Sequence, residues 1–199
     1  MTKASVKDPL VGTIIDGKYR VDKLLDQGGM GRVYRVTHLQ LDKIFALKLM
    51  KSGIAEQEEL LARFRREAEA LAKIQHPNVV MVTDYGLMPD KAPFIVMEFI
   101  EGITLRQLLK TPGQFTEQQV IRIGKHICAG LHEAHSRNII HRDLKPENIM
   151  VQQFADGELM ARVLDFGIAK MLKTDELKNI KVSDDTTGRS IPGTLKYLS

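Results

Sequence analysis

The sequence predicts an α+β fold in two parts, an antiparallel sheet carrying one main helix and then a mainly helical part. Three observations predict it. Short runs of alternating apolar and polar residues recur over residues 18–50, with a glycine-rich turn between the first two. Apolar residues return at helical spacing over residues 56–74. After Glu101-Gly102 the character changes from sheet to helix, which places a boundary near Phe99 to Gly102. At 199 residues and 43% hydrophobic content the chain can bury a core of its own.

Residues 1–16 read as a short tail. Tyr19, Val21 and the following leucines form a first strand from Lys18 to Leu25, and Asp26-Gln27-Gly28-Gly29-Met30-Gly31 is a turn. Arg32 to Leu39 is a second strand, and Ile44 to Met50 a third that carries Lys48 inside an apolar run. Glu56 to Ile74 is a helix with Leu60, Phe64, Ala68 and Leu71 on one face. Glu67 shares that face, and a carboxylate there is costly unless it meets a cation. His76-Pro77-Asn78 ends the helix, because proline disfavours helical geometry just before it. Val79 to Leu87 and Phe94 to Met97 are two further strands.

In the second part Thr116, with Gln119 three residues on, forms a capping box. The helix it opens has Val120, Ile123, Ile127, Leu131 and Ala134 as its buried stripe. Cys128 lies on an apolar stripe of the same helix and reads as a small buried hydrophobe. Two short strands follow, Ile149 to Val151 and Ala161 to Leu164, and the polar stretch from Met171 to Arg189 reads as a mobile loop.

Composition narrows the function. The balance of 29 basic against 25 acidic residues gives a net charge of +4 and no reason to infer nucleic-acid binding. One cysteine excludes an internal disulfide and fits a reducing compartment. The first residues carry no apolar run of a signal peptide, and no stretch reaches the length of a membrane span. The expected localisation is cytoplasmic.

The chemistry concentrates in His141-Arg142-Asp143-Leu144-Lys145-Pro146-Glu147-Asn148 and in Asp165-Phe166-Gly167. Two acids, a lysine and an amide in two short segments are equipment for holding magnesium and a polyphosphate beside a hydroxyl. Gly28, Gly29 and Gly31 would let backbone amides approach phosphates closely. Lys48 reads either as a snorkelling surface lysine or as the partner that Glu67 needs. His132 and His135 flank Glu133 as His-Glu-Ala-His, one residue short of the zinc spacing His-Glu-x-x-His, so a metal reading fails. A dinucleotide-binding reading fails as well, because the glycines open a strand and not a helix.

This motif set resembles the protein kinases, and within them the bacterial eukaryotic-type serine/threonine kinases, over residue 14 to Ser199. The resemblance implies a bilobal fold. Its N-lobe, residues 17–100, would be a five-stranded antiparallel sheet with one main helix that binds nucleotide. Its C-lobe, residues 101–199, would be an incomplete, mainly helical part holding the catalytic loop and activation segment. The implied activity is transfer of the ATP γ-phosphate to Ser/Thr hydroxyls of a protein substrate, with ATP and Mg2+ as cofactors.

Residue by residue, the resemblance makes Asp143 the acceptor of the substrate hydroxyl proton and Lys145 a clamp on the γ-phosphate. Lys48, paired with Glu67, contacts the α- and β-phosphates. Asn148 and Asp165 ligate the metal. Val33, Ala46 and Met150 sandwich the adenine, while Glu98 and Ile100 supply the hinge backbone, with Met97 guarding the pocket behind it. His141 and Phe166 join Leu71 and Val82 in an internal stack. Arg142 implies activation-loop phosphorylation, for which Thr186 and Thr187 are the candidate sites. Asp26 stands where the family has its first glycine, which puts a negative side chain near the nucleotide.

Gly193 to Ser199 resembles the segment leading into the family's Ala/Ser-Pro-Glu, whose last two residues would come next. The helices that follow it in the family bind substrate and brace the catalytic loop. On this reading the 199-residue chain is an incomplete, weakly active or inactive fragment. The exposed surface of its C-lobe would then meet a kinase dimer partner or another protein. The alternative is a non-catalytic nucleotide-binding or interaction module that engages other kinases.

Overall fold

A computed structural model describes residues 8–29, 31–50, 58–111 and 115–166. They fall into two compact units, one built from residues up to 62 and 82–99, the other from 63–81 and from 100 onward.

The first unit is a six-stranded antiparallel sheet in the order β1-β2-β3-β4-β6-β5. Its strands are β1 (Ile14–Ile15), β2 (Tyr19–Gly28), β3 (Gly31–His38), β4 (Lys43–Met50), β5 (Val82–Leu87) and β6 (Pro93–Glu98). Five strands were expected from the sequence, and the sixth is β1, inside the segment read as a tail. Two apolar residues give almost no periodic signal, yet Ile15 is buried and pairs with Tyr19. The segment before it is also built in. Gly12 N–H donates to the Val21 carbonyl at 2.8 Å, and Val21 N–H donates to that of Thr13 at 2.9 Å.

Alternation sorts the side chains of this sheet. One face carries a cluster of Ile15, Tyr19, Val21, Tyr34, Val36, Leu47, Phe94 and Val96, against which Leu10 and Val11 pack. Each such side chain, fully buried, contributes roughly 1.5–3 kcal/mol. At the edge of this face the Tyr19 hydroxyl donates to Asp84 at 2.8 Å, and burial together with that carboxylate holds the phenol well above its ordinary range.

Helix α1 (Glu58–Ala72) begins in the first unit and continues into the second. Its stripe is as the spacing predicts, with Leu60, Phe64, Ala68 and Leu71 buried. The second unit holds a three-stranded sheet, β7 (Ile103–Thr104), β8 (Ile149–Gln153) and β9 (Leu159–Val163), with two helices, α2 (Leu105–Leu108) and α3 (Glu117–Ser136). Val79, expected to begin a strand running to Leu87, instead bridges Val163 in parallel. The Asn78 amide donates to the Ala161 carbonyl at 2.9 Å.

The buried side of α3 differs from the expected stripe. Ile123, Gly130 and Ala134 are buried, Ile127 and Leu131 half-buried, and Val120 is 56% exposed. Cys128 is exposed too, not buried as expected. Gly130 is where α3 meets the Asn78 backbone, since a Cβ there would lie 2.6 Å from the Asn78 carbonyl oxygen, while His126 accepts the Ala161 N–H of β9 at 3.3 Å. No helix among the described residues is long and apolar enough to cross a membrane.

Candidate active site

In the first unit the glycine turn is a strand hairpin. β2 runs on through Asp26 and Gln27, so that Gly28 pairs with Gly31 and Asp26 with Val33. The glycines have different reasons to be glycine. Gly31 has φ +146°, and a Cβ there would lie 2.1 Å from the Leu49 carbonyl oxygen, so the fold itself requires it. A Cβ on Gly28 or Gly29 would meet nothing within 4 Å. Packing around a Cβ therefore does not explain those two, and both are exposed. Asp26 is exposed, and its carboxylate accepts the Gln27 N–H at 2.9 Å.

Lys48 stands opposite Val33 on one side and Ile95 on the other. It is 7% exposed, which excludes a snorkelling surface lysine. Ala46, two residues earlier and so on the same face, is also buried and pairs with Met97. The sheet thus gathers Val33, Ala46 and Lys48 in adjoining registers. Glu98 ends β6 opposite Phe45 and is half-buried. Glu67 is half-buried on α1 between Phe64 and Ala68.

In the second unit a short loop assembles the acids. Asp143 is 4% exposed, and an ionised carboxylate that deep needs partners. It has them: Lys145 Nζ lies 2.9 Å from Asp143 Oδ2, and the Asn148 amide donates to the Asp143 carbonyl at 2.8 Å. The one-turn helix Pro146–Asn148 brings Asn148 back toward Asp143, and proline opens it with its φ already set. Ile149 and Val151 then anchor the following strand as buried residues, with Met150 half-buried between them. Ile100, the other expected hinge residue, is buried.

His141 joins the two acidic segments. Its Nδ1 accepts the Asp143 N–H at 3.2 Å, so Nε2 carries the proton and donates to the Leu164 carbonyl at 2.7 Å. The Leu164 N–H in turn donates to the Asn148 carbonyl at 2.8 Å, so Asp165 begins where two hydrogen bonds end. Phe166 lies against His141, ring centroids 4.8 Å apart. Arg142 (φ 61°) and Asp165 (φ 59°) both hold left-handed backbone, a strained state for residues with a Cβ.

Sequence reading missed some supports of this loop. Arg106 of α2 donates to Glu147 at 2.8 Å, and Asn78 ties the 76–80 segment to β9. Thr104 with Gln107 is a second capping box and was a usable signal for α2. Thr186, Thr187 and the segment Gly193 to Ser199 lie outside the described residues.

Residues 19–199 match the protein kinase domain. The chain belongs to the protein kinase family. It is 41% identical over 193 residues to the serine/threonine-protein kinase pkn3 of Myxococcus xanthus, which covers 96% of this chain and 34% of that protein. The kinase domain of Mycobacterium tuberculosis PknI shares the fold with a TM-score of 0.67 at 29% identity, over 82% of this chain and 68% of that one. Rad53, solved in complex with AMP-PNP, matches with a TM-score of 0.65 at 25% identity, over 80% and 43%. The chain spans between 21% and 47% of the length of the first curated relatives it matches. The expected kinase fold and the bacterial serine/threonine branch are thus established.

Proposed function

We propose that this kinase transfers the γ-phosphate of ATP to a Ser or Thr hydroxyl of a protein substrate. The observation that carries the reading is the buried Asp143 carboxylate with Lys145 and Asn148 on it. An anion held at one place inside a loop is suited to accept a hydroxyl proton as the oxygen attacks phosphorus. Lys145, within reach of that carboxylate, offers the charge that a γ-phosphate needs.

The residues present fit both cofactors. Asn148 uses its side-chain nitrogen on Asp143 and its backbone carbonyl on Leu164, which leaves its side-chain oxygen Oδ1 for a hard cation. Asp165 is a half-buried carboxylate beside it in the hydrogen-bond chain through Leu164. Magnesium there would neutralise charge on the phosphates. The open space over Gly28 and Gly29, which no side chain fills, suits the close approach of a polyphosphate. Val33 and Ala46 are assigned to the adenine, Met150 likewise, Glu98 and Ile100 to the hinge backbone, and Lys48 to the α- and β-phosphates. Arg142 is exposed and suited to meet a phosphorylated loop residue, for which Thr186 and Thr187 are the candidate sites.

Label transfer from γ-labelled ATP to a Ser/Thr-containing basic protein tests the assignment. Asp143→Asn is expected to lower the transfer rate by a factor on the order of 10²–10⁴ with ATP affinity retained. Undiminished transfer in that variant would remove Asp143 from its role.

A further inference from the structure

Asp8 lies outside every residue assigned to phosphoryl transfer, yet it reaches the root of the glycine hairpin. Its side chain is only 10% exposed. Oδ1 accepts the Leu10 N–H at 3.0 Å and the Tyr34 hydroxyl at 3.2 Å. Oδ2 lies 3.5 Å from Arg32 Nη1. Arg32 and Tyr34 alternate along β3 and so share the face that Asp8 covers, while Val33 between them faces the opposite way with Lys48. Arg32 directly follows Gly31 and pairs across the hairpin with Gln27, the neighbour of Gly28.

The other end of this arm is fixed. Leu10 and Val11 pack on the sheet cluster, and Gly12 and Thr13 exchange backbone hydrogen bonds with Val21. Tyr34 has 0% exposure, so its hydroxyl must find an acceptor inside the protein. Asp8 is that acceptor. The same carboxylate lies beside Arg32, the first residue after Gly31, so it ties the phenol and the base of the hairpin to one group.

We propose that Asp8 is a positioning residue of the nucleotide site. Through Tyr34 and Arg32 it fixes the first residues of β3, and so holds the Gly28 and Gly29 backbone where the ATP phosphates bind. The proposal rests on the phosphoryl-transfer reading for its ligand, but its mechanical half stands on the hairpin alone. The effect belongs to phosphates, so adenosine, which has none, would not feel it.

The test uses Asp8→Asn, which keeps an acceptor and loses the charge, and Tyr34→Phe, which removes one hydroxyl and leaves the buried ring. In the protein without nucleotide, backbone amides of Gln27, Gly28 and Gly29 are expected to exchange hydrogen faster in both variants. The amides of Leu47 and Val96, in the same sheet, keep the wild-type rate. ATP affinity is expected to fall about three- to tenfold, the scale of coupling between neighbouring groups, with adenosine affinity unchanged. Hairpin exchange that stays at the wild-type rate in both variants overturns the proposal, as does an equal loss of ATP and adenosine affinity. Should the wild-type protein bind no ATP, the phosphoryl-transfer reading is what fails, and the exchange comparison still decides the arm.

Discussion

His141 is 3% exposed, and both ring nitrogens are committed, Nδ1 as acceptor and Nε2 as donor. Only the neutral ring can do both, because a proton on Nδ1 would face the Asp143 N–H. Burial accordingly pulls the imidazole below its ordinary value, against smaller opposing pulls from the Leu164 carbonyl, Asp165 and Asp143. The unfolded chain therefore takes up this proton first as pH falls. The stability His141 contributes is fully present above the ordinary imidazole value of about 6.5, and it is lost as pH falls through that value toward the native one. Wild-type protein without magnesium is expected to lose more stability between about pH 7 and 5.5 than His141→Gln does. Urea unfolding at stepped pH reads the difference, with His126, also pulled down by burial, cancelling because both proteins keep it. Parallel curves would show that His141 titrates alike in both states. The motif made this histidine visible in the sequence. Its tautomer was not legible there, since that is set by two backbone groups brought together by the loop.

At the scale of elements, α3 shows what periodicity can and cannot give. Its start was legible because Thr116 and Gln119 sit three apart and satisfy each other's backbone N–H groups locally. Its buried side was read less well, because a glycine scores as no hydrophobe although it can mark the closest approach. A Cβ on Gly130 would lie 2.6 Å from the Asn78 carbonyl oxygen, whereas one on Gly124 would meet nothing within 4 Å. Gly130→Ala is therefore expected to push α3 from the 78–80 segment and cost about 1–3 kcal/mol, the usual penalty of overpacking. Gly124→Ala is expected to gain about 0.4–1 kcal/mol, because alanine restricts the unfolded chain and suits a helix. Chemical denaturation of the two variants beside wild type checks the pair, and equal shifts of the same sign would refute the contact. The tail misreading has a similar cause. Leu10, Val11 and Ile15 are too few to show a period, and what recruits them is a sheet face formed by residues farther along the chain.

For the molecule as a whole, the order of motifs decided the family, because Lys48, Glu67, Asp143, Asn148 and Asp165 had to occur in register along one chain. What that order could not give is the support: Asp8 on the hairpin, Asn78 on β9, Arg106 on the 146–148 turn. These are pairings between segments distant in sequence, each individually unremarkable. If ATP and magnesium bind the folded chain as proposed, they must stabilise it by mass action, by about 2.7 kcal/mol at a hundredfold excess over Kd. Lys48→Ala is expected to lose most of the shift produced by ATP, with or without magnesium, because it removes a phosphate contact. Asp165→Asn is expected to keep the shift produced by ATP alone and to lose the further shift that magnesium adds. Thermal unfolding of the three proteins with ATP, with magnesium and with both reads all the terms. Equal magnesium increments in wild type and Asp165→Asn would take Asp165 out of the metal site, while leaving the Lys48 assignment to stand or fall on its own shift.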